Sequence, residues 1–509
     1  CFTSTELSAS TMGQLLVGND SRGTVRSVVK AMTRLQPFTL LGLGALLLGA
    51  GCSPNADPSR INVLLVVIDT ARADKFGCYG HESGLTPRID ELARSGIVFE
   101  SASAHAPWTL PSTASLLTSL HPPEHGAGGS LHLDPSGAKP PAVEFHALGS
   151  AAVTLAEVFQ AHGWRTGAVV NVDFLDRAFG LTQGVDDLDA RAYASNLEVR
   201  SASDTTDEAL RWIDERDGQP FFLLAHYFDA HAVYAPPASF RRAHANPVDQ
   251  DNTNFTFGTR AHMMMLRAGK LELEPDLMER AERLYEAELA YIDEQVGRLL
   301  TGLEEAGIDD STLIVLTADH GEEFLDHSGF EHGHTLYEEL LHVPLIMKLG
   351  THWSAGRRVQ ESIGLLDVAP TICEVAGLEI PREFMGRSLS PALSGAALKE
   401  LPILAHGNFW GEPLVCWRRG QWKMILTPGA DGEPRMELYD LSVDPMERND
   451  QSLAQPKRTE RMGLELELAR ARYAARHMGT EVVLDPEMAA RLQSLGYLGE
   501  GEPAEDGDQ

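Results

Sequence analysis

Three uninterrupted apolar runs organise the chain. Ile61-Asn62-Val63-Leu64-Leu65-Val66-Val67-Ile68 is rich in β-branched residues and ends at Asp69. Ser311-Thr312-Leu313-Ile314-Val315-Leu316-Thr317-Ala318 delivers Asp319-His320-Gly321, and Phe221-Phe222-Leu223-Leu224-Ala225 delivers His226 and Asp229. Runs without polar alternation predict strands buried on both faces, as in a parallel sheet. Ahead of the second run, Ile292, Val296, Leu299 and Leu303 recur at helical spacing and predict a helix over about 276–306 with one face on the sheet. Helix, strand, then polar residues at the strand end is the order of a doubly wound α/β fold, whose ligands bind beyond the carboxyl ends of the strands. Asp69, Asp319 and His320 therefore have a positional reason to be functional.

The pattern changes towards both ends. After about residue 400, the segments 420–426 and 436–441 predict two short antiparallel strands joined by turn-rich 427–434, with a helix over about 459–476. This is a small α+β C-terminal subdomain. The polar segment 244–270, which carries Met263-Met264-Met265, reads as an insertion or lid near the site, and the acidic, Gly-rich tail 499–509 as disordered. Near the start, Lys30 and Arg34 precede an apolar stretch over 38–51, the length of an export signal rather than of a membrane span. It ends in Leu48-Gly49-Ala50-Gly51-Cys52, which resembles a bacterial lipobox with Gly49 where Leu is usual. The division expected is an upstream segment and signal over 1–51, a tether over 52–59, a catalytic domain over 60–400, a C-terminal subdomain over 401–498 and the tail. The chain is then exported, to the periplasm or cell surface, with a lipid anchor at Cys52; plain secretion and an uncleaved anchor are the alternatives.

Composition narrows the chemistry. With 509 residues and 43% hydrophobic content the chain can bury a large core. A formal net charge of −31 repels nucleic-acid phosphates, which excludes that partner. An anionic substrate would need locally concentrated positive charge, which a bound metal ion can supply. The five cysteines include no C-x-x-C pair, so zinc-ribbon and thioredoxin-like readings fail.

A series of short motifs then falls in one order. Ile68-Asp69-Thr70-Ala71-Arg72-Ala73-Asp74 with Gly77-Cys78-Tyr79-Gly80, Thr86-Pro87-Arg88-Ile89-Asp90, Leu110-Pro111-Ser112-Thr113-Ala114-Ser115-Leu116-Leu117-Thr118 and Thr317-Ala318-Asp319-His320-Gly321-Glu322 are followed by Val343-Pro344-Leu345-Ile346, Asp367-Val368-Ala369-Pro370-Thr371 and Glu437-Leu438-Tyr439-Asp440-Leu441. Together they resemble the sulfatase family of the alkaline-phosphatase superfamily. The resemblance implies a mixed, doubly wound sheet sandwiched by helices, and one divalent metal ion (Ca, Mn, Zn or Mg) held by Asp69, Asp319 and His320 with Thr109 beside it.

It also implies an anomaly. Sulfatases resemble one another in C-x-P-x-R or S-x-P-x-R, whose first residue is oxidised to formylglycine. Aligning Pro111 places Thr109 at that position and Thr113 at the Arg, and Thr70 stands where a second Asp is frequent. A Thr hydroxyl points instead to the branches that attack phosphorus, with Thr as nucleophile and metal ligand. The substrate-binding residues implied are His231, Asn171, His332 and His334, with His334 or His231 also catalytic and with His226 and Asp229 supporting His231. The expected function is a metal-dependent ester hydrolase or transferase acting on phosphate mono- or diesters of a small molecule, glycan or lipid. The alternatives are a sulfuric ester hydrolase on glycan or aryl sulfates and a lipoprotein that binds anionic glycans without turnover.

Overall fold

The computed structural model describes residues 60–498, apart from 133–141, 191–199, 412, 430–432, 474–477, 495–496 and part of 253–270. The expected signal, tether and tail, and much of the expected lid, lie outside the described residues. The apolar runs form the middle of an eight-stranded mixed sheet. Its strands in chain order are β1 (Asn62–Ile68), β2 (Ile97–Phe99), β3 (Arg165–Val170), β4 (Asp187–Ala190), β5 (Phe221–Tyr227), β6 (Thr312–Ala318), β7 (Leu345–Leu349) and β8 (Arg357–Val359), and they lie side by side as β8-β2-β7-β6-β1-β5-β3-β4. β1 pairs in parallel with both β5 and β6, so it sits at the centre with Val63 to Ile68 fully buried. β7 runs antiparallel to β6 and β2, which makes the sheet mixed.

The register carries the chemistry. Ile68 lies beside Ala318, so one step further Asp69 and Asp319 leave adjacent strands together. His226 lies beside Val67 on β5. Side chains alternate with a period of two, so His226 projects from the same face as Asp69.

Of the helices, four concern the site: α1 (Thr109–Thr118), α2 (Pro275–Glu305), α3 (Pro456–Tyr473) and α4 (Pro486–Ser494). α2 buries Ile292, Val296, Leu299 and Leu303 and begins with Pro at its first position, where no N–H is needed. It also fixes the loop after β1: the Tyr285 hydroxyl donates to the Thr70 carbonyl at 3.0 Å, and Asp293 accepts the backbone N–H of Ile89 at 2.8 Å. Thr70 is held at φ 56°, a left-handed conformation costly for a β-branched residue and of order 1–3 kcal/mol where it occurs.

The C-terminal region has four antiparallel strands in sequential order, β9 (Ile403–His406), β10 (Val415–Arg419), β11 (Trp422–Thr427) and β12 (Arg435–Asp440). Sequence reading anticipates only the last two. Alternation divides their side chains. Leu404, Val415, Trp417, Met424, Leu426 and Leu438 pack with Met462 and Leu466 of α3, while Ala405, Cys416, Ile425 and Tyr439 face the main core. Lys423 pins this second face. Its fully buried ammonium lies 2.8 Å from Glu338 and 2.9 Å from Glu447. Removing one partner of a buried pair strands the others, so Lys423→Ala is expected to destabilise the protein by about 3–5 kcal/mol in denaturant titration. A change under about 1 kcal/mol would show the pairing to be dispensable.

Candidate metal centre and active site

Asp69, His226 and Asp319 each offer a ligand atom, and these atoms all lie within 4.8 Å of one another. All three residues are fully buried. Apart from the 3.3 Å approach of His226 Nε2 to Asp69 Oδ2, both carboxylate oxygens of Asp69, Oδ2 of Asp319 and both ring nitrogens of His226 have no hydrogen-bond partner among the described residues. Buried polar atoms normally find partners, so such a concentration of orphans needs a ligand.

His320 adds to the case. Its Nδ1 lies 2.9 Å from the Gly321 carbonyl, so the Nδ1–H donates there. With the proton on Nδ1, the Nε2 lone pair faces Asp69 Oδ1 and Asp319 Oδ2, each at 3.6 Å, beside the Thr109 hydroxyl at 3.3 Å. Lone pairs facing carboxylates repel unless a cation lies between them. The donor set of two carboxylates and two imidazoles therefore fits a divalent metal, with nitrogen ligands admitting Zn or Mn beside the harder Ca and Mg. The carboxyls respond to each other. Burial and the charge of Asp69 push Asp319 up to about 6. Burial also raises Asp69, but His226, His320 and His231 outweigh it and leave its carboxyl below the ordinary range.

Thr109 is the first residue of α1, following an extended Trp108. Pro111 is harmless there because the first-turn N–H groups have no intrahelical acceptors. The helix is tied to the centre by Ser112, whose hydroxyl donates to the Asp319 carbonyl at 2.6 Å. Thr109 Oγ1 is fully buried and lies 3.3 Å from His320 Nε2. One turn on, the buried Thr113 hydroxyl has no partner among the described residues.

The histidines separate into two groups. His231 stacks on Phe228 and donates from Nδ1 to the Ala232 carbonyl at 2.7 Å, leaving Nε2 towards the site. His332 lies with its ring 4.5 Å from that of His320, and its Nδ1 is 2.8 Å from Glu322. Glu322 is itself held by the Tyr234 hydroxyl at 2.9 Å. His334 goes elsewhere. Its Nε2 is 2.7 Å from Glu323, whose charge overcomes burial and raises the imidazole. Between the two rings stands Gly333 at φ 82°, with His332 beside His320 and His334, expected on substrate, paired with Glu323.

Two further expectations shift. His226 joins the ligand cluster instead of supporting His231. Asn171 faces inward, donating to Thr205 Oγ1 at 3.0 Å and to the His226 carbonyl, so it braces β5. Asp229 accepts the Ala202 N–H at 2.9 Å, and burial pushes its carboxyl up to about 7. Sequence reading also misses Glu322 and Tyr497. The Tyr497 hydroxyl lies 3.2 Å from both His231 Nε2 and His332 Nε2.

Comparison with known proteins agrees with this architecture. Residues 61–378 match the Sulfatase family model. The chain belongs to the sulfatase family. Residues 326–472 of this sulfatase-family chain also match the C-terminal region of N-sulphoglucosamine sulphohydrolase. Mouse arylsulfatase K is 32% identical over 174 residues, which is 32% of this chain and 31% of that protein. The chain thus spans about a third of that relative's length. Mouse steryl-sulfatase is 27% identical over 82% of this chain and 83% of its own. Among solved structures, a protein in complex with its substrate D-glucosamine-2-N,6-O-disulfate superposes with a TM-score of 0.65 at 21% identity, covering 81% of this chain and 98% of that one. The phosphonate monoester hydrolase of Agrobacterium radiobacter does so at 0.61 and 21%, covering 84% and 100%. The fold is the α/β fold of these neighbours.

Proposed function

We propose that the chain is a metal-dependent ester hydrolase or transferase that uses Thr109 as nucleophile, with phosphate mono- and diesters as its substrate class. The observation that carries this reading is the buried Thr109 hydroxyl, 3.3 Å from His320 Nε2 beside the partnerless atoms of Asp69, His226 and Asp319. Held by Asp69, His226, Asp319 and His320, a divalent cation would offset charge on ester oxygens and lower the pKa of a neighbouring hydroxyl, contributions of several kcal/mol.

The protein's own groups supply the remainder. Thr109 loses its hydroxyl proton to bulk water, and Oγ1 attacks phosphorus in line, forming a phosphothreonine as the bond to the leaving oxygen breaks. The first-turn N–H groups of α1, and His231 once its Nε2 carries a proton, are placed to orient the anionic oxygens. His332 delivers a proton to the departing oxygen, with Glu322 on its other nitrogen balancing the imidazolium. The Thr ester is then cleaved by water or an acceptor alcohol. A formylglycine hydrate has a second hydroxyl with which to expel sulfate; Thr109 has none, which favours phosphorus over sulfur.

His332→Ala is expected to lower kcat by 10²–10³-fold on alkyl esters and much less on p-nitrophenyl esters, whose leaving group needs no proton. His334→Ala is expected to stay within about threefold on both. Equal losses with both leaving groups would remove His332 from this role.

The family membership and the sulfated-glucosamine complex favour a second reading, hydrolysis of glycan or aryl sulfates. Parallel assays with phosphomonoester, phosphodiester and sulfate ester substrates separate the two, and mass spectrometry of a trapped phospho-Thr109 would establish the first. Export with a lipid anchor at Cys52 belongs to the same proposal and is tested by mass spectrometry of the mature N-terminus.

A further inference from the structure

The feature that the reading above leaves unused is Tyr497. It follows α4, and its ring is set among Phe174 and Phe409 at centroid distances of 4.9 and 5.5 Å. α4 is itself docked by Leu492, which is fully buried, and by Arg491, whose Nε lies 2.7 Å from the buried Asp173. The Tyr497 backbone N–H donates to the Leu492 carbonyl at 3.0 Å. The side chain is thus anchored from three sides and only 3% exposed.

Its hydroxyl occupies a particular point. His231 Nε2 and His332 Nε2 each lie 3.2 Å away, and the Thr109 hydroxyl also hydrogen-bonds with it. These are the proposed nucleophile and the two imidazoles assigned to substrate. Any substrate oxygen that bonds to either imidazole must therefore touch the phenol. A phenol keeps its proton at neutral pH. That single hydrogen cannot satisfy two ring nitrogens. His231, with Nδ1–H committed to Ala232, accepts it. A substrate oxygen placed here gives the phenol a better acceptor.

We propose that Tyr497 is a substrate-contacting residue, whose phenol donates a hydrogen bond to an oxygen of a tetrahedral phosphate or sulfate group while its ring walls the site. The inference rests on the assignment of Thr109, His231 and His332 to the active site. It brings to that site a neutral donor from beyond α4, where Thr113 offers no cationic one.

The test uses the full-length, metal-loaded protein and its Tyr497→Phe and Tyr497→Ala variants. Binding of inorganic phosphate and inorganic sulfate is measured by calorimetry, and kcat and KM by ester hydrolysis. Tyr497→Phe keeps the ring and its packing, so a melting temperature within about 2 °C of wild type is expected. Loss of one preorganised donor is worth about 10²–10³-fold in kcat, and anion binding is expected to weaken about tenfold. Tyr497→Ala is expected to lose as much and to raise KM in addition. Unchanged binding and turnover in Tyr497→Phe would overturn the proposal, and so would faster turnover, which would make the phenol an obstruction. If the wild-type protein hydrolyses no ester yet the Phe variant binds phosphate or sulfate more weakly, the proposed function fails while Tyr497 stands. If wild type binds neither anion at millimolar concentration, the proposal itself falls.

Discussion

Thr109→Ala is expected to lower kcat by about 10⁴–10⁶-fold, the range found when a covalent nucleophile is removed. Its effect on folding should be small. Thr109 caps nothing, since Trp108 occupies the N-cap and makes no side-chain capping bond, and Ala is the best helix former at the vacated position. Thr109→Ser keeps the hydroxyl and is expected to retain activity within about 10²-fold. The measurements are steady-state turnover, melting temperature and intact mass during turnover. A Thr109→Ala enzyme within tenfold of wild type would end the nucleophile assignment.

Chelation is the second large effect. Stripping the cation with EDTA is expected to abolish turnover and lower the melting temperature by several degrees, because ligand at a thousandfold its Kd stabilises by about 4 kcal/mol. Asp319→Asn should separate the two roles of that carboxylate. It removes a ligand, so the variant should gain little stability from added metal. It also removes repulsion with Asp69, so without metal it should melt higher than wild type. The pH dependence has a definite sign. Asp319 rises from 3.8 to about 6 in the metal-free fold. The folded state therefore holds this proton more tightly than the unfolded one, and the resulting stabilisation is complete below about pH 4 and gone above about pH 6. Metal-free wild type should lose stability across that window and the Asn variant should not. A chelated protein with full activity would sink the metal centre altogether.

The centre of the sheet was legible because strands covered on both faces leave a continuous apolar signal, and β1 and β6 each end that signal in a carboxylate. The short strands β9 and β10 were not, because Val415-Cys416-Trp417-Arg418-Arg419 divides its alternation between two cores and a buried ion pair. His226 was read as a support for His231, and its place among the candidate ligands was not legible. That it shares a face with Asp69 follows from register, and register is fixed only once β5 is known to lie against β1. The choice between His332 and His334 depends on the reversal at Gly333, which spacing does not reveal. Tyr497 gave no local cue: it stands 165 residues from His332 and 266 from His231, in a segment with no motif.

That separation has a biosynthetic consequence. The ribosome makes Asp69 and Thr109 before His320, and Tyr497 comes 165 residues after His332. A nascent polypeptide from which α4 has not yet emerged already carries the proposed cation ligands and Thr109 but lacks one wall of the reaction chamber. Synthesis order thus delays completion of that chamber until Tyr497 has been made.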